Sequence, residues 1–163
     1  MSSYIYFYIR GEKELVPVYE SSRNSAMYQN LCHLVPHDKV RAISDSELRE
    51  FISIFEDEIQ SNKKKIARDR EALDRIPSFQ NSLGEKLEAI DFIEESLEYY
   101  EEEIAAAQCC IDVLRTLRGA IETVRYTDSY DPDKYIYAGT EYWKPSLEEV
   151  MEWEKENLKD SEN

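Results

Sequence analysis

Two long runs of apolar residues at heptad-like spacing constrain this chain more than any other feature. In the first run, apolar side chains recur at alternating steps of four and three residues, with Asn62 and Asp69 in two of the positions. This spacing places the apolar side chains on one stripe of a helix, and two such stripes pack against each other. We predict a long helix that begins at the capping sequence Ser44–Glu47 and ends before Pro77. Its apolar stripe consists of Leu48, Ile52, Phe55, Ile59, Ile66, Leu73 and Ile76.

A second stripe follows after a short link, residues 77–81. It begins at the capping sequence Ser82–Glu85 and continues to about residue 125. Because the link is short, the two helices are expected to form an antiparallel hairpin. The second stripe consists of Leu83, Leu87, Ile90, Ile93, Leu97, Tyr100, Ile104, Ala107, Ile111, Leu114, Leu117, Ile121 and Val124.

The short link also predicts the register of the hairpin. If Ile76 lies opposite Leu83, three lysines of the first helix face three glutamates of the second, which favours this pairing. In this register the first helix has no residues opposite the part of the second helix beyond about Ile111. We therefore expect the last turns of the second helix to pack on a sheet. The facing charges are Lys63, Lys64 and Lys65 opposite Glu94, Glu95 and Glu98.

Alternating aromatic and β-branched residues at the start of the chain predict a strand over 4–10. A return strand is expected at 15–20, at a sheet edge or a bulge because Pro17 lacks an N–H donor, and a short strand is expected at 39–43. Tyr135–Tyr137 repeats the opening pattern and predicts a strand that pairs near residues 4–8. We expect one face of the first strand to pack on the hairpin. The other face is expected to lie under a helix at 23–35 or against a second copy.

These elements predict one α+β domain spanning residues 1–163. It comprises a small antiparallel sheet head, a long antiparallel coiled-coil helical hairpin and a short C-terminal helix that starts at the capping sequence Ser146–Glu149. The predicted bounds are 3–43 and 126–142 for the head, 44–125 for the arm and 145–158 for the C-terminal helix.

The formal charge of −15 narrows the classes of function. A chain this acidic repels phosphate backbones, so direct nucleic-acid binding is not expected and basic protein partners are favoured. The sequence has no signal-peptide pattern and no apolar run near the ~20 residues of a membrane span. Three cysteines do not form a secreted disulfide framework. We therefore expect a soluble, cytoplasmic protein that does not act on membranes.

Most of the acid lies in the arm, and two interpretations of it remain open. One is a solvated helix face, and the other is a row of carboxylates that imitates a phosphate backbone and occupies the basic channel of a nucleic-acid enzyme. The candidate partner-binding residues are Glu94, Glu95, Glu98, Glu101, Glu102 and Glu103.

The head offers an alternative site, because aromatic faces beside guanidinium groups hold nucleobases and phosphates. In that case the protein would sequester a small phosphorylated ligand such as a nucleotide; otherwise the arginines pair with acids and the tyrosines pack as core. A third hypothesis is a structural coiled-coil oligomerisation module, and a homodimer through the head is also considered. The alternative site residues are Tyr4, Tyr6, Tyr8, Arg10, Arg41, Arg115 and Arg118.

Candidate metal and catalytic groups are sparse. A site at Cys32, His33 and His37 is disfavoured by Pro36, and the spacing of aspartates in residues 128–133 does not fit a calcium loop. One thiol of the adjacent pair at 109–110 is expected to be buried. Because the usual catalytic motifs are also missing, we expect no cofactor, no metal and no enzymatic activity.

The opening YIYFYIRGEKELVPVYESS, the link PHDKVRAIS, the helical hairpin and the closing YIYAGTE resemble small proteins of phages and prophages, including anti-defence proteins of the anti-CRISPR type. The resemblance covers most of the chain, contains no functional motif and transfers no site residues. It implies a protein of the host-cell cytoplasm that binds a host factor, for example to inhibit nucleic-acid-directed defence.

Overall fold

A computed structural model of the chain describes residues 4–11, 13–22, 30, 32, 35–36, 38–127 and 135–158, with the side chains of 22 and 124–127 left out. The fold is α+β. Its elements, in chain order, are β1 (Tyr4–Arg10), β2 (Leu15–Ser22), β3 (Arg41–Ile43), α1 (Asp45–Arg75), a 3-10 helix (Ile76–Ser78), α2 (Leu83–Thr127), β4 (Ile136–Thr140) and α3 (Leu147–Asn157).

The four strands form one antiparallel sheet in the order β2-β1-β4-β3. The predicted pairing of the closing strand with the first strand is confirmed, since Tyr137 lies opposite Tyr8. β2 is an edge strand, as Pro17 requires, and the register shifts beside it. The turn before β2 is tight, and a side chain at Gly11 would lie 2.8 Å from the Glu14 carbonyl oxygen.

The helical hairpin is confirmed, and α1, α2 and α3 each start at a predicted capping sequence. Ser44, Ser82 and Ser146 each accept a hydrogen bond from the backbone N–H three residues later, at 3.1 to 3.2 Å. In α3, the Glu149 carboxylate also accepts from the Ser146 N–H, which completes the capping box. In α1, Glu47 instead accepts from Arg41 at 2.7 Å, so only half of the predicted box is present.

The predicted register of the hairpin is wrong. The Lys65 ammonium group lies 5.6 Å from the centre of the Tyr100 ring, and Arg70 lies 3.6 Å from Glu101. Within the described chain, the three lysines make no ion pair with Glu94, Glu95 or Glu98. The first turns of α2 therefore extend beyond the end of α1.

The two faces of the sheet have different covers. Ile5, Phe7 and Ile9 lie in one buried cluster with the base of the hairpin, including Leu114 and Leu117, so the predicted packing of α2 on the sheet is confirmed. The opposite face carries Tyr8, Tyr137 and Ala42, and it packs under α3 through Val150 and Trp153.

α3, which was not predicted as a cover, packs on part of this tyrosine face. Most of the expected helix at 23–35 lies outside the described residues, and its described members Cys32 and Val35 pack with the hairpin cluster on the other face. A homodimer through the head stays a prediction, but α3 already occupies much of the face assigned to it.

A polar contact beneath α3 fixes the helix to the sheet. Arg10 Nε lies 2.8 Å from Glu154 Oε1, and the Tyr137 hydroxyl donates to the same oxygen at 3.2 Å. Burial, followed by the charge of Glu154, raises the pKa of Tyr137, so its hydroxyl keeps its proton and remains a donor.

Candidate protein-interaction face

The six glutamates predicted as the partner-binding set all lie on α2 with exposed side chains. Glu101 lies 3.6 Å from Arg70, whereas the other five make no ion pair within the described chain. The helix period distributes them over several directions, because successive residues point ~100° apart. Five of them nevertheless fall within ~120° of arc and Glu103 lies ~80° beyond, so the set covers one broad side of α2.

Two large aromatic residues lie exposed among these carboxylates. Phe92 is 71% exposed and Tyr99 is 58% exposed. Phe92, Tyr99, Cys110 and Leu117 follow one another at steps of seven, eleven and seven residues, so they share one stripe of α2. Cys110 and Leu117 are buried in the core cluster that includes the sheet. The outer end of a core-forming stripe thus extends beyond the head into solvent.

Carboxylates line this exposed part of the stripe at regular spacing. Glu88 lies one helical turn before Phe92, and Glu95 lies one turn after it. Glu95 also lies one turn before Tyr99, and Glu102 lies one turn after it. All three glutamates are exposed. We call Phe92, Tyr99, Glu88, Glu95 and Glu102 the acidic aromatic face. It combines an exposed aromatic pair with a row of carboxylates along one side of it, and aromatic residues are enriched in protein interfaces.

The scaffold beneath this face is ordered by contacts between the helices. Tyr100 is half buried, receives the Lys65 ammonium group over its ring, and lies edge-on to Tyr99 at 5.8 Å between ring centres. An aromatic group presented on a rigid helix loses little conformational freedom on binding. The face is therefore preorganised for contact with a partner.

Within the described part of the chain, the alternative ligand-binding residues of the head do not all lie on one side of the sheet. The side of β1 that faces α3 carries Tyr4, Tyr6, Tyr8 and Arg10. Arg41 pairs with Ala138, which belongs to the cluster on the hairpin side of the sheet, so Arg41 is assigned to that opposite face. Each guanidinium group also has a carboxylate partner within 3.5 Å. These pairs are Arg10–Glu154, Arg41–Glu47, Arg115–Glu56 and Arg118–Asp45.

Two grooves lined by described residues each contain one arginine of this set. A groove of about 660 Å³ between β3 and α3 is lined by Arg41, Trp153 and the carboxylates of α3. A separate groove of about 350 Å³ between α1 and α2 contains Arg115. Neither groove is lined by Tyr4, Tyr6 or Tyr8. The Tyr6 ring instead packs under the Lys144 ammonium group, 4.3 Å from the ring centre.

The cysteines behave as expected where they are described. Cys110 is fully buried and Cys109 is exposed, so the prediction of one buried thiol is confirmed. His33, His37 and the aspartates of 128–133 lie outside the described residues. Among the residues that are described, no group of three or more His, Cys, Asp or Glu side chains is placed to hold a metal ion.

No protein-family model matches the chain, and no curated sequence or solved structure is significantly similar to it. Over the described residues, none of the helices combines the length and the apolar character needed to cross a bilayer.

Of the acidic aromatic face, only Glu95 and Glu102 belong to the set predicted from sequence, whereas Glu88 and the two aromatic residues were not predicted. Phe92 and Tyr99 lie off the hairpin stripe, and their own stripe leads through Ala106 to Cys110. That spacing was a readable signal for a second apolar face on α2. Whether the sheet covers this second face depends on where the sheet ends. The spacing of apolar residues along one helix does not reveal that position.

Proposed function

We propose that this chain is a non-enzymatic binding protein whose acidic aromatic face occupies a basic surface on another protein. The observation that carries this proposal is the exposure of Phe92 and Tyr99 beside a row of carboxylates. Exposed aromatic residues at the centre of a charged surface are typical of residues that supply most of the binding energy at interfaces. A helix face that serves only to keep the chain solvated does not require exposed aromatic residues.

The charge of the face indicates the kind of partner. Between residues 85 and 103 the chain carries nine acidic residues and one basic residue, Lys86. Such a surface attracts a basic partner over a distance and repels acidic proteins and nucleic acids. We propose a nucleic-acid-binding enzyme as the partner, with a host defence enzyme as the leading case, because its nucleic-acid channel is basic.

The mechanism that follows is competition. Carboxylates along a rigid helix would take positions on the partner that phosphates otherwise occupy, and the aromatic pair would add affinity that does not depend on salt. Nucleic acid would then be excluded from the channel. Inhibition requires no chemistry by this chain.

Affinity capture from a bacterial lysate at low and high salt tests the proposal. The capture should recover a basic protein whose nucleic-acid binding is lost in the complex, and high salt should release it. In the test variant, Glu88, Glu95 and Glu102 are replaced by lysine, which should prevent capture and leave the fold intact because all three are exposed.

A matched variant separates the face from overall charge. Replacement of Glu148, Glu152 and Glu156 on α3 by lysine changes the net charge equally at exposed positions remote in sequence from the face. This variant should still capture the partner. Equal loss in both variants, or unchanged capture by the first, would contradict the proposal.

A further inference from the structure

The outer half of the arm leaves its own apolar stripe incompletely covered. Every described residue from 83 to 106 is exposed or only partly buried, including the stripe members Ile93 and Leu97. At the tip, Leu83 is 73% exposed and Leu87 is 53% exposed. With Phe79, which is also exposed, they form what we call the tip patch. Two helices alone cannot enclose a stripe on all sides, whereas four can.

The charges around the tip patch are complementary within one chain. From residue 63 to 75, α1 carries six basic and three acidic residues, and all six basic side chains are exposed. The adjacent part of α2 is acidic, with Glu94 and Glu101 following Leu87 at steps of seven residues on the same stripe. Lys63 and Lys64 make no ion pair within the described chain. A basic helix and an acidic helix thus flank one apolar patch.

From these observations we infer that the outer half of the arm is an interface for a second copy of this chain. Two arms would lie side by side with their tips together, related by a two-fold axis along the arm, and form a four-helix bundle. The symmetry brings the tip patch against itself and places α1 of each copy beside α2 of the other. The second copy is therefore the occupant that matches both the apolar patch and the charges beside it.

This interface is separate from the acidic aromatic face. Leu87 and Phe92 are five residues apart, so their side chains point ~140° away from each other around the helix. Association through the tip patch leaves Phe92 and Tyr99 on the outside. The dimer would present two copies of the face, but its formation does not depend on the proposed function.

Sedimentation equilibrium over a concentration series tests the inference. The wild-type chain should show a dimer mass, and the variant Leu83→Gln/Leu87→Gln should raise the dissociation constant at least about tenfold. The control Phe92→Ser/Tyr99→Ser should remain dimeric. A monomer mass for the wild type throughout, or equal weakening by the control, would overturn the inference.

A charge exchange tests the symmetry directly. Chains with Lys63→Glu/Lys64→Glu and chains with Glu94→Lys/Glu101→Lys should each lose self-association, because like charges meet at both helix contacts. An equal mixture should recover a heterodimer, because opposite charges then meet at both contacts. Failure of the mixture to associate, when each variant alone retains its helical circular-dichroism spectrum, would reject this arrangement.

Discussion

Cys109 and Cys110 are adjacent in sequence but occupy different environments. Cys109 is exposed, while Cys110 is fully buried and accepts a hydrogen bond from Asn30 Nδ2 at 3.8 Å. Burial, followed by the influence of Cys109, raises the pKa of Cys110 to about 11. Because the thiolate is the reactive form, the two neighbouring thiols should differ strongly in reactivity.

Maleimide labelling of single-thiol chains measures that difference. In a Cys32→Ser background, the chain that keeps only Cys110 should react at least about a hundredfold more slowly at pH 8 than the chain that keeps only Cys109. Denaturant should remove most of the difference because it exposes both thiols. Equal rates in the folded chains would contradict the placement of this turn of α2 against the core.

At the scale of elements, α2 has two kinds of neighbour along its length. Within the described residues, its outer half packs on α1 and the adjoining 3-10 helix, whereas Leu114, Leu117 and Ile121 near its C-terminal end lie in the core cluster shared with the sheet. The helix therefore joins the head and the arm into one folded unit. Its contribution to stability should be concentrated at the inner end.

Two identical substitutions on α2 test this distribution. Leu117→Ala should lower the free energy of unfolding by ~2–5 kcal/mol, because it leaves a cavity in a closed core. Leu87→Ala should change it by less than ~1 kcal/mol, because that side chain is largely exposed. Urea denaturation at a concentration where the chain is monomeric provides both values. Similar losses at the two sites would contradict the packing described for α2.

The elements show which sequence signals were sufficient. Capping sequences and Pro17 are local signals, and they predicted helix starts and an edge strand correctly. The hairpin register was not predictable from charge, since glutamates recur closely along α2 and several alignments bring them opposite the lysines and arginines of α1. The docking site of α3 depends on which sheet face remains open, which is a property of the whole fold.

At the scale of the whole molecule, the head and the arm differ in how their charged side chains are paired. The arginines around the head are paired with carboxylates, whereas the predicted acidic set on α2 is almost entirely unpaired within the described residues. The sequence predicted the location of the acid from composition alone. It could not show that the aromatic pair among the carboxylates stays exposed, because that depends on how far the core cluster with the sheet extends along α2.

The most direct test of the central claim is the affinity of the captured partner as a function of salt, for the wild type and two variants. Replacement of Glu88, Glu95 and Glu102 by lysine should weaken binding mainly at low salt and flatten the salt dependence, because it removes electrostatic attraction. Phe92→Ser/Tyr99→Ser should weaken binding by a similar factor at every salt concentration, because it removes apolar contact. Unchanged affinity in both variants would show that the acidic aromatic face is not the binding site.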